Sequence, residues 1–262
     1  TGASDTLATL AEGNVPTRLY LDPPTAEEVA AEGLAAVGIA TDIRALAPVA
    51  AANRLNDLIF WIRALAPRYV HLKVCSTWDS APAVGNIGAA VTLLQKALQP
   101  TLTAFVGGQP SLGRYCIFGN IFARGPDGEI HRIDRHPVMS RHPVTPMGEG
   151  DLRLHLAAQG LDGLALVDSS VIAGGAADIA GRLSRLQDGG KPPLLFDAVS
   201  NNDIAAIGDA LSAEPEGMQL IVGASSVAEA IGPHIQAAKG SAGRSGQSER
   251  SGPCFVLAGS RS

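Results

Sequence analysis

The sequence predicts an α/β fold: a parallel sheet with helices on both faces and a small antiparallel excursion around residues 110–150. Three observations carry this. Apolar runs of strand length, such as "YVHLKV", "LTAFVG" and "MQLIVG", recur along the chain, and strands apolar throughout belong to a sheet covered on both sides. Segments with apolar residues at helical spacing lie between them, the alternation of a parallel sheet. The alternation breaks once. Between Pro110 and Gly150, "GRYCIFGNIFA" and "EIHRI" have strand character and are joined by the turn "GPDG", the pattern of an antiparallel pair.

Each element follows from its own signals. Asp5 to Gly13 reads as a helix and Arg18 to Leu21 as a short strand. Thr25 caps a helix through Ala31, with Glu28 three residues on as its capping-box partner. "LAAVGIAT" is a buried strand, and "RALAPVAAANRLNDLIFWIRAL" a long amphipathic helical region. After the strand "YVHLKV" come the helix "VGNIGAAVTLLQKAL" and the strand "LTAFVG". Beyond Asp151 the expected order is a helix, "LALVD", a helix to Leu186, "PLLFDAV", "NDIAAIGDAL", "MQLIVG" and "SVAEAIGPHI".

Composition narrows the function. Of 262 residues, 46% are hydrophobic and 17% charged, with a net charge of −5. That balance argues against nucleic acid as the main partner, which needs a basic face. No apolar run approaches bilayer length, and no charged-then-apolar leader opens the chain, so a cytoplasmic protein without a membrane partner is expected. Cys75, Cys116 and Cys254 are widely spaced and read as reduced thiols rather than as a disulfide or zinc set. The chain opens on a helix with no strand before it and closes on a strand running into a loop. Residues 1–238 are expected to form one domain, 239–252 a flexible linker, and 253–262 the start of a second domain.

In parallel sheets, ligands bind outside the carboxyl ends of the strands. The residues following "YVHLKV" are Cys75, Ser76, Thr77, Trp78, Asp79 and Ser80. Asp197 lies near the end of "PLLFDAV", and Ser225 and Ser226 follow "MQLIVG" at a helix start. The excursion carries Gly113 and Arg114. Hydroxyls, carboxylates and a few cations are the lining expected for a small polyhydroxylated anion. The plain structural readings stand beside this one: Ser225 and Ser226 can be helix caps, and Asp79 can close an Asx turn. Lys73 sits near the end of a buried strand, where an ammonium calls for a carboxylate or an anionic ligand. The excursion ends in a doubled motif, Arg135-His136-Pro137-Val138 and Arg141-His142-Pro143-Val144. Each histidine precedes a proline and is held out of helical geometry. A rigid loop or an anion contact through Arg141 or His142 fits better than a metal site, because no partner ligand has fitting spacing. "HRID" at His131–Asp134 lacks the other parts of a kinase catalytic loop, and there is neither a Walker A loop nor a GxGxxG.

"TGASD", "KVCSTWDSAPAVGNIG", "GRYCIFGNIF", "RHPVTPM", "FDAVSNNDIAAIG" and "VGASSVAEAIG" together resemble the four-carbon acid sugar kinase family, whose members phosphorylate erythronate, threonate or 3-oxo-tetronate with ATP. The resemblance covers nearly the whole chain and implies that this is the acid-sugar-binding half. ATP with Mg²⁺ is then expected to bind mainly to a nucleotide domain not represented here. It implies Asp79 as the catalytic group. It places Lys73, Ser76, Ser80, Arg114, His142, Thr145, Asp197 and Ser225 beside the substrate, and the reading of the strand-end and RHP loops adds Thr77, Arg141 and Ser226. Ser260 and Ser262 of the closing "GSRS" are implied on the nucleotide side. A homo-oligomer is possible on this reading. The runner-up is a module that binds a small carboxylic acid without chemistry.

Overall fold

The computed structural model describes residues 2–214, 217–241 and 254–259. In chain order the elements are α1 (Gly2–Glu12), β1 (Thr17–Tyr20), α2 (Ala26–Ala31), β2 (Ala36–Thr41), α3 (Pro48–Leu65), β3 (Tyr69–Lys73), α4 (Ile87–Leu98) and β4 (Leu102–Val106). The excursion follows as β5 (Arg114–Ile117), β6 (Asn120–Arg124) and β7 (Ile130–Arg132). Then come α5 (Leu152–Ala157), β8 (Ala165–Val167), α6 (Ser169–Ile172), α7 (Ala176–Asp188), β9 (Leu194–Phe196), α8 (Asn201–Ala213), β10 (Gln219–Gly223), α9 (Ser226–Ser241) and β11 (Cys254–Gly259). Eight strands form one sheet in the order β1-β2-β11-β3-β10-β4-β9-β8, and every pairing in it is parallel. The excursion is a separate antiparallel sheet, β5-β6-β7.

Alternation along each strand divides the core between the two faces. Val70, Leu72, Phe105, Leu195 and Val222 pack with Leu55, Leu58 and Ile62 of α3 and Val91 and Leu94 of α4. Tyr69, Ala104, Phe196 and Ile221 pack with Leu7 and Leu10 of α1, Ile207 of α8 and Val227 of α9. The Thr25 capping box forms as expected: Glu28 N donates to Thr25 Oγ1 at 3.1 Å, and Thr25 N donates to Glu28 Oε2 at 2.7 Å.

Three boundaries differ from expectation. The long helical region begins only at Pro48, which takes the first helical turn because its missing N–H costs nothing there. The single helix expected to reach Leu186 is broken at Gly174–Gly175 into α6 and α7, with Gly175 at φ +80°. The helix expected to give way to a linker at 239 continues to Ser241. Cys254–Gly259, which the sequence assigns to the start of a second domain, pairs in parallel with both β2 and β3 in this sheet.

The excursion is fastened to the main sheet at one point. Cys116 and Ala198 exchange backbone hydrogen bonds of 2.9 and 3.0 Å. Close approach there needs glycine: a Cβ on Gly107 would stand 2.5 Å from Cys116 Sγ, and one on Gly108 would stand 2.3 Å from Ala198 O. Beside this contact the fully buried Asp197 carboxylate accepts from Phe118 N at 2.5 Å, Gly119 N at 2.9 Å, and Ser169 N and Oγ, both at 2.9 Å. Cys116 Sγ adds a fifth donor at 3.3 Å.

Two predictions follow from this packing. Asp197→Ala leaves buried donors from three segments without an acceptor, so it should cost about 3 kcal/mol in a urea titration; a loss below about 1 kcal/mol would remove the fastening role. His71 is 1% exposed, and burial pulls its imidazole down to about 3, opposed by its hydrogen bond to Gly223 O. Between that value and the unfolded value near 6.5 the unfolded chain binds the extra proton. Stability from this group is therefore lost as pH falls below about 6.5, by up to about 1.4 kcal/mol per pH unit. His71→Leu should remove that slope, measured by denaturant titration at pH 7 to 5. Gly223 O keeps its bond from Val74 N.

Candidate functional site

All eight strands of the main sheet point the same way, so their carboxyl ends share one edge. At that edge β3 ends in Lys73 and enters the loop Val74–Ser80. Trp78 N donates to Cys75 O at 3.0 Å, closing a turn. Trp78 itself sits at φ +57°, in the left-handed region that a bulky side chain occupies only when its surroundings hold it there. Its ring is the holder. It is fully buried, packs 6.1 Å from Phe105 by ring centroids, and donates from Nε1 to Gly107 O at 2.9 Å.

The turn delivers Asp79, only 3% exposed, beneath a cleft open to solvent. Thr77 Oγ1 donates to Asp79 Oδ1 at 2.5 Å, and Arg44 donates from its guanidinium to Asp79 Oδ2. Arg44 comes from the turn after β2. Its backbone is clamped, because Gly85 lies at φ +59° where a Cβ would stand 2.5 Å from Arg44 O, and Gly85 N donates to Leu46 O at 3.0 Å. Arg44, Lys73, Cys75, Asp79 and Asn86 supply the polar lining, and Ile43, Leu72 and Ile87 part of the apolar wall.

Lys73 is half-buried against the start of α1: a Cβ on Gly2 would lie 3.0 Å from its Nζ. It makes no hydrogen bond or ion pair with a described residue. Burial pushes its ammonium below the ordinary lysine value; Cys75, Asp5 and Asp79 hold it up, and Arg44 pushes it down. Asp5, on the first turn of α1, accepts from Ser225 Oγ. Ser225 thus ties β10 to α1 beside Lys73. Ser226 Oγ donates to Gly108 O at 2.7 Å, a structural bond.

The structure therefore brings Lys73, Thr77, Asp79 and Ser225 to one end of the sheet, with Ser76 half-buried in the same loop. Other expected site residues have different occupations. Ser80 is 2% exposed, bonded to Trp78 O at 2.9 Å, His155 Nε2 at 2.9 Å and Gln159 Nε2 at 2.8 Å. Gln159 Oε1 in turn accepts from Ile87 N at 2.7 Å at the start of α4. Ser80 is thus a buried structural hydroxyl, not a cleft-lining one. Asp197, expected beside the substrate, has its oxygens bonded by five protein donors and is not among the residues lining this cleft. Arg114, Arg141, His142 and Thr145 do not line the cleft. Arg114 donates to Leu112 O at 2.5 Å and has a buried Nε without a partner, and Arg141 is exposed. Ser260 and Ser262 lie outside the described residues.

The doubled histidine motif has the same local structure twice. Each copy follows a short 3₁₀ turn, Ile133–Arg135 or Met139–Arg141. His136 Nδ1 accepts from Val138 N and Met139 N at 3.1 Å, and His142 Nδ1 accepts from Thr145 N at 3.0 Å. The imidazoles act as caps for chain that the prolines keep from continuing as helix. Met147, fully buried, pins the end of the second copy into the core.

Arg44 and Asp5 are absent from the sequence-based set. Arg44 follows "LAAVGIAT" by three residues, so reading the end of that strand like the others would find it. Asp5 lies in "TGASD", but nothing in the sequence brings it to Ser225, 220 residues away.

Residues 1–231 match the profile of the sugar-binding N-terminal domain family. The chain is 39% identical to a 3-oxo-isoapionate kinase of Paraburkholderia graminis over 209 residues, covering 79% of this chain and 44% of that protein. It is 31% identical to a 3-oxo-tetronate kinase of Methylobacterium radiotolerans over 211 residues, 80% of this chain and 48% of that one. Against the 3-oxo-tetronate kinase of Escherichia coli it is 28% identical, over 99% of this chain and 64% of the other. The chain thus spans about half the length of the curated relatives it matches. Among solved structures, a Salmonella typhimurium protein described as a putative tRNA synthase superposes with a TM-score of 0.78 at 27% identity, over 91% of this chain and 54% of that one. A Bordetella bronchiseptica protein described as a domain-swapped dimer with bound citrate superposes at 0.70 and 20% identity, over 91% and 55%, which shows the shared fold. With the profile matched over 231 residues, the chain belongs to the sugar-binding N-terminal domain family, whose curated relatives are kinases of 3-oxo-tetronate and 3-oxo-isoapionate.

Proposed function

We propose that this chain binds the sugar acid for a kinase that transfers phosphate from ATP to a hydroxyl of a four-carbon sugar acid or a close relative. The observation that carries the reading is the cleft after β3, where a half-buried Lys73, without a hydrogen bond or ion pair among the described residues, stands with a buried Asp79. Unsatisfied positive charge beside a carboxylate is what an anionic polyol requires: a cation for its acid group and an acceptor for its hydroxyl. The names of the kinase relatives supply the substrate class.

Phosphoryl transfer asks a protein mainly for positioning and charge stabilisation. In this reading Lys73 holds an anionic or carbonyl oxygen of the substrate through Nζ. Thr77 fixes the Asp79 carboxylate through Oδ1. Asp79 Oδ2 accepts the proton of the attacking hydroxyl. Among the described residues no group of three His, Cys, Asp or Glu side chains is arranged to hold a metal ion. By analogy with the longer kinase relatives, we assign ATP and Mg²⁺ to the part of those proteins that this chain does not span. The second reading, a module that binds a small carboxylic acid without chemistry, uses the same cleft. The citrate described in the Bordetella bronchiseptica protein of the same fold favours it.

Asp79→Asn in the full-length protein should lower kcat by about 10²- to 10⁴-fold with a small change in KM, the size of effect expected for a group that takes a proton. Unchanged turnover and unchanged binding would sink the assignment. Tetronate binding without any ATP-dependent turnover in the unmutated full-length protein would favour the binding module. Lys73→Met should act in two opposite directions. It removes a costly buried ammonium and should stabilise the fold by about 1 kcal/mol, while weakening tetronate binding at least tenfold in calorimetry. A variant both less stable and unimpaired in binding would show that Lys73 serves packing alone.

A further inference from the structure

We propose that Arg44 recognises the substrate carboxylate, and that it does so by exchanging Asp79 for that carboxylate. The inference rests on the sugar-acid reading of the cleft and adds to it the residue that selects for an acid.

Both oxygens of Asp79 are occupied in the structure, one by Thr77 and the other by Arg44. The Arg44 guanidinium thus sits on Oδ2, the oxygen that takes the hydroxyl proton in this reading, and competes with the substrate for it. Thr77 is 5% exposed and belongs to the same tight loop, so it is not the partner that leaves. Arg44 can leave. Its backbone is fixed by the Gly85 contact, but its side chain is 32% exposed at the mouth of the cleft, while that of Asp79 is 1% exposed at the bottom. Arginine also presents a planar fork of donors that fits a carboxylate in two parallel bonds, which the compact lysine ammonium does not.

The charges in the cleft support the exchange. Arg44 and Lys73 are the cations in its lining, and Asp79 is the carboxylate. Without ligand, Asp79 is paired with Arg44. When an acid enters, Arg44 trades one carboxylate for another. Arg44 keeps an ionic partner, and the cost falls on Asp79, left desolvated with one oxygen open. A hydroxyl of the same substrate molecule can then fill it. Recognition of the acid and release of the acceptor become one event, and a neutral polyol that cannot draw Arg44 away finds Asp79 still occupied.

The test compares D-erythronate with its neutral amide, D-erythronamide, by calorimetry on this chain, with thermal melts as a folding control. The unmutated chain should prefer the acid at least tenfold. Arg44→Gln should bring the two affinities within about threefold, and Arg44→Lys should keep an intermediate preference. Asp79→Asn should raise the preference for the acid, because Arg44 no longer has a charged internal partner. A purely structural Arg44 would lower the melting temperature in Arg44→Gln and leave the acid-to-amide ratio as it was, overturning the proposal. An unchanged or reduced ratio in Asp79→Asn overturns the exchange on its own, even if Arg44→Gln fails to fold. If the unmutated chain binds both compounds equally, Arg44 is not a carboxylate selector although the cleft is a sugar site. If it binds neither, the sugar-acid reading falls, and the inference with it.

Discussion

The carboxylate of Asp197 joins two sheets that share no strand. Its donors come from the turn between β5 and β6, from β5 itself through Cys116, and from the start of α6 through Ser169. A buried charge is expensive unless every lone pair is used. Here five donors use them, and the same bonds decide where the antiparallel excursion stands. The excursion in turn fixes the loop after β4, because Gly107 and Gly108 have no side chain to keep Cys116 and Ala198 away. Gly107 O then receives the Trp78 indole, and Gly108 O receives Ser226. The geometry of the cleft loop thus leads back to a carboxylate that never faces the cleft.

Satisfaction of polar groups separates scaffold from site. Asp197 and the Ser80–His155–Gln159 network are buried and fully bonded, and their chemistry is spent on holding backbone. Lys73 is half-buried without a partner among the described residues, and Asp79 is bonded to an arginine that is itself partly exposed. Such groups cost stability, and they persist where a ligand is to complete them. Trp78 adds backbone strain in the same loop. Its left-handed conformation turns the chain so that Asp79, the next residue, points to Arg44 rather than to solvent. The loop is thus stiff in its backbone and open to exchange in its charges.

Much of the fold was legible in the sequence because a two-sided parallel sheet writes itself as continuous apolar runs, and because Thr25 with Glu28 and the "GPDG" turn are local signals. The site was legible only in part. "KVCSTWDS" could be assigned to a strand end, and that placed Lys73 and Asp79 correctly at the sheet edge. A carboxylate that lines a cleft and one that binds backbone look alike in sequence, however, so Asp197 and Ser80 were indistinguishable from Asp79. What separates them is the donors around each, supplied by residues 28 to 81 positions away from Asp197 and 75 to 79 away from Ser80. The same holds for β11, whose partners β2 and β3 lie far back along the chain.

The doubled histidine motif shows how a suggestive pattern can have a purely local cause. A proline after each histidine keeps the chain from continuing as helix and leaves backbone N–H groups that need acceptors. The imidazole Nδ1 is close enough to supply one, so the pair His-Pro works as a turn cap wherever it falls. His136 uses its second nitrogen as well, with Nε2 3.3 Å from Arg124 O, which leaves it none for a metal or a ligand. His142 keeps Nε2 unassigned, but Nδ1 is held by both the backbone and the hydroxyl of Thr145 at 3.0 Å. Two copies of one capping solution, in one stiff loop ended by a buried methionine, account for the repeat without a second site. The loop's first task is to close its own backbone, and the Nδ1 atom of each imidazole is used for it.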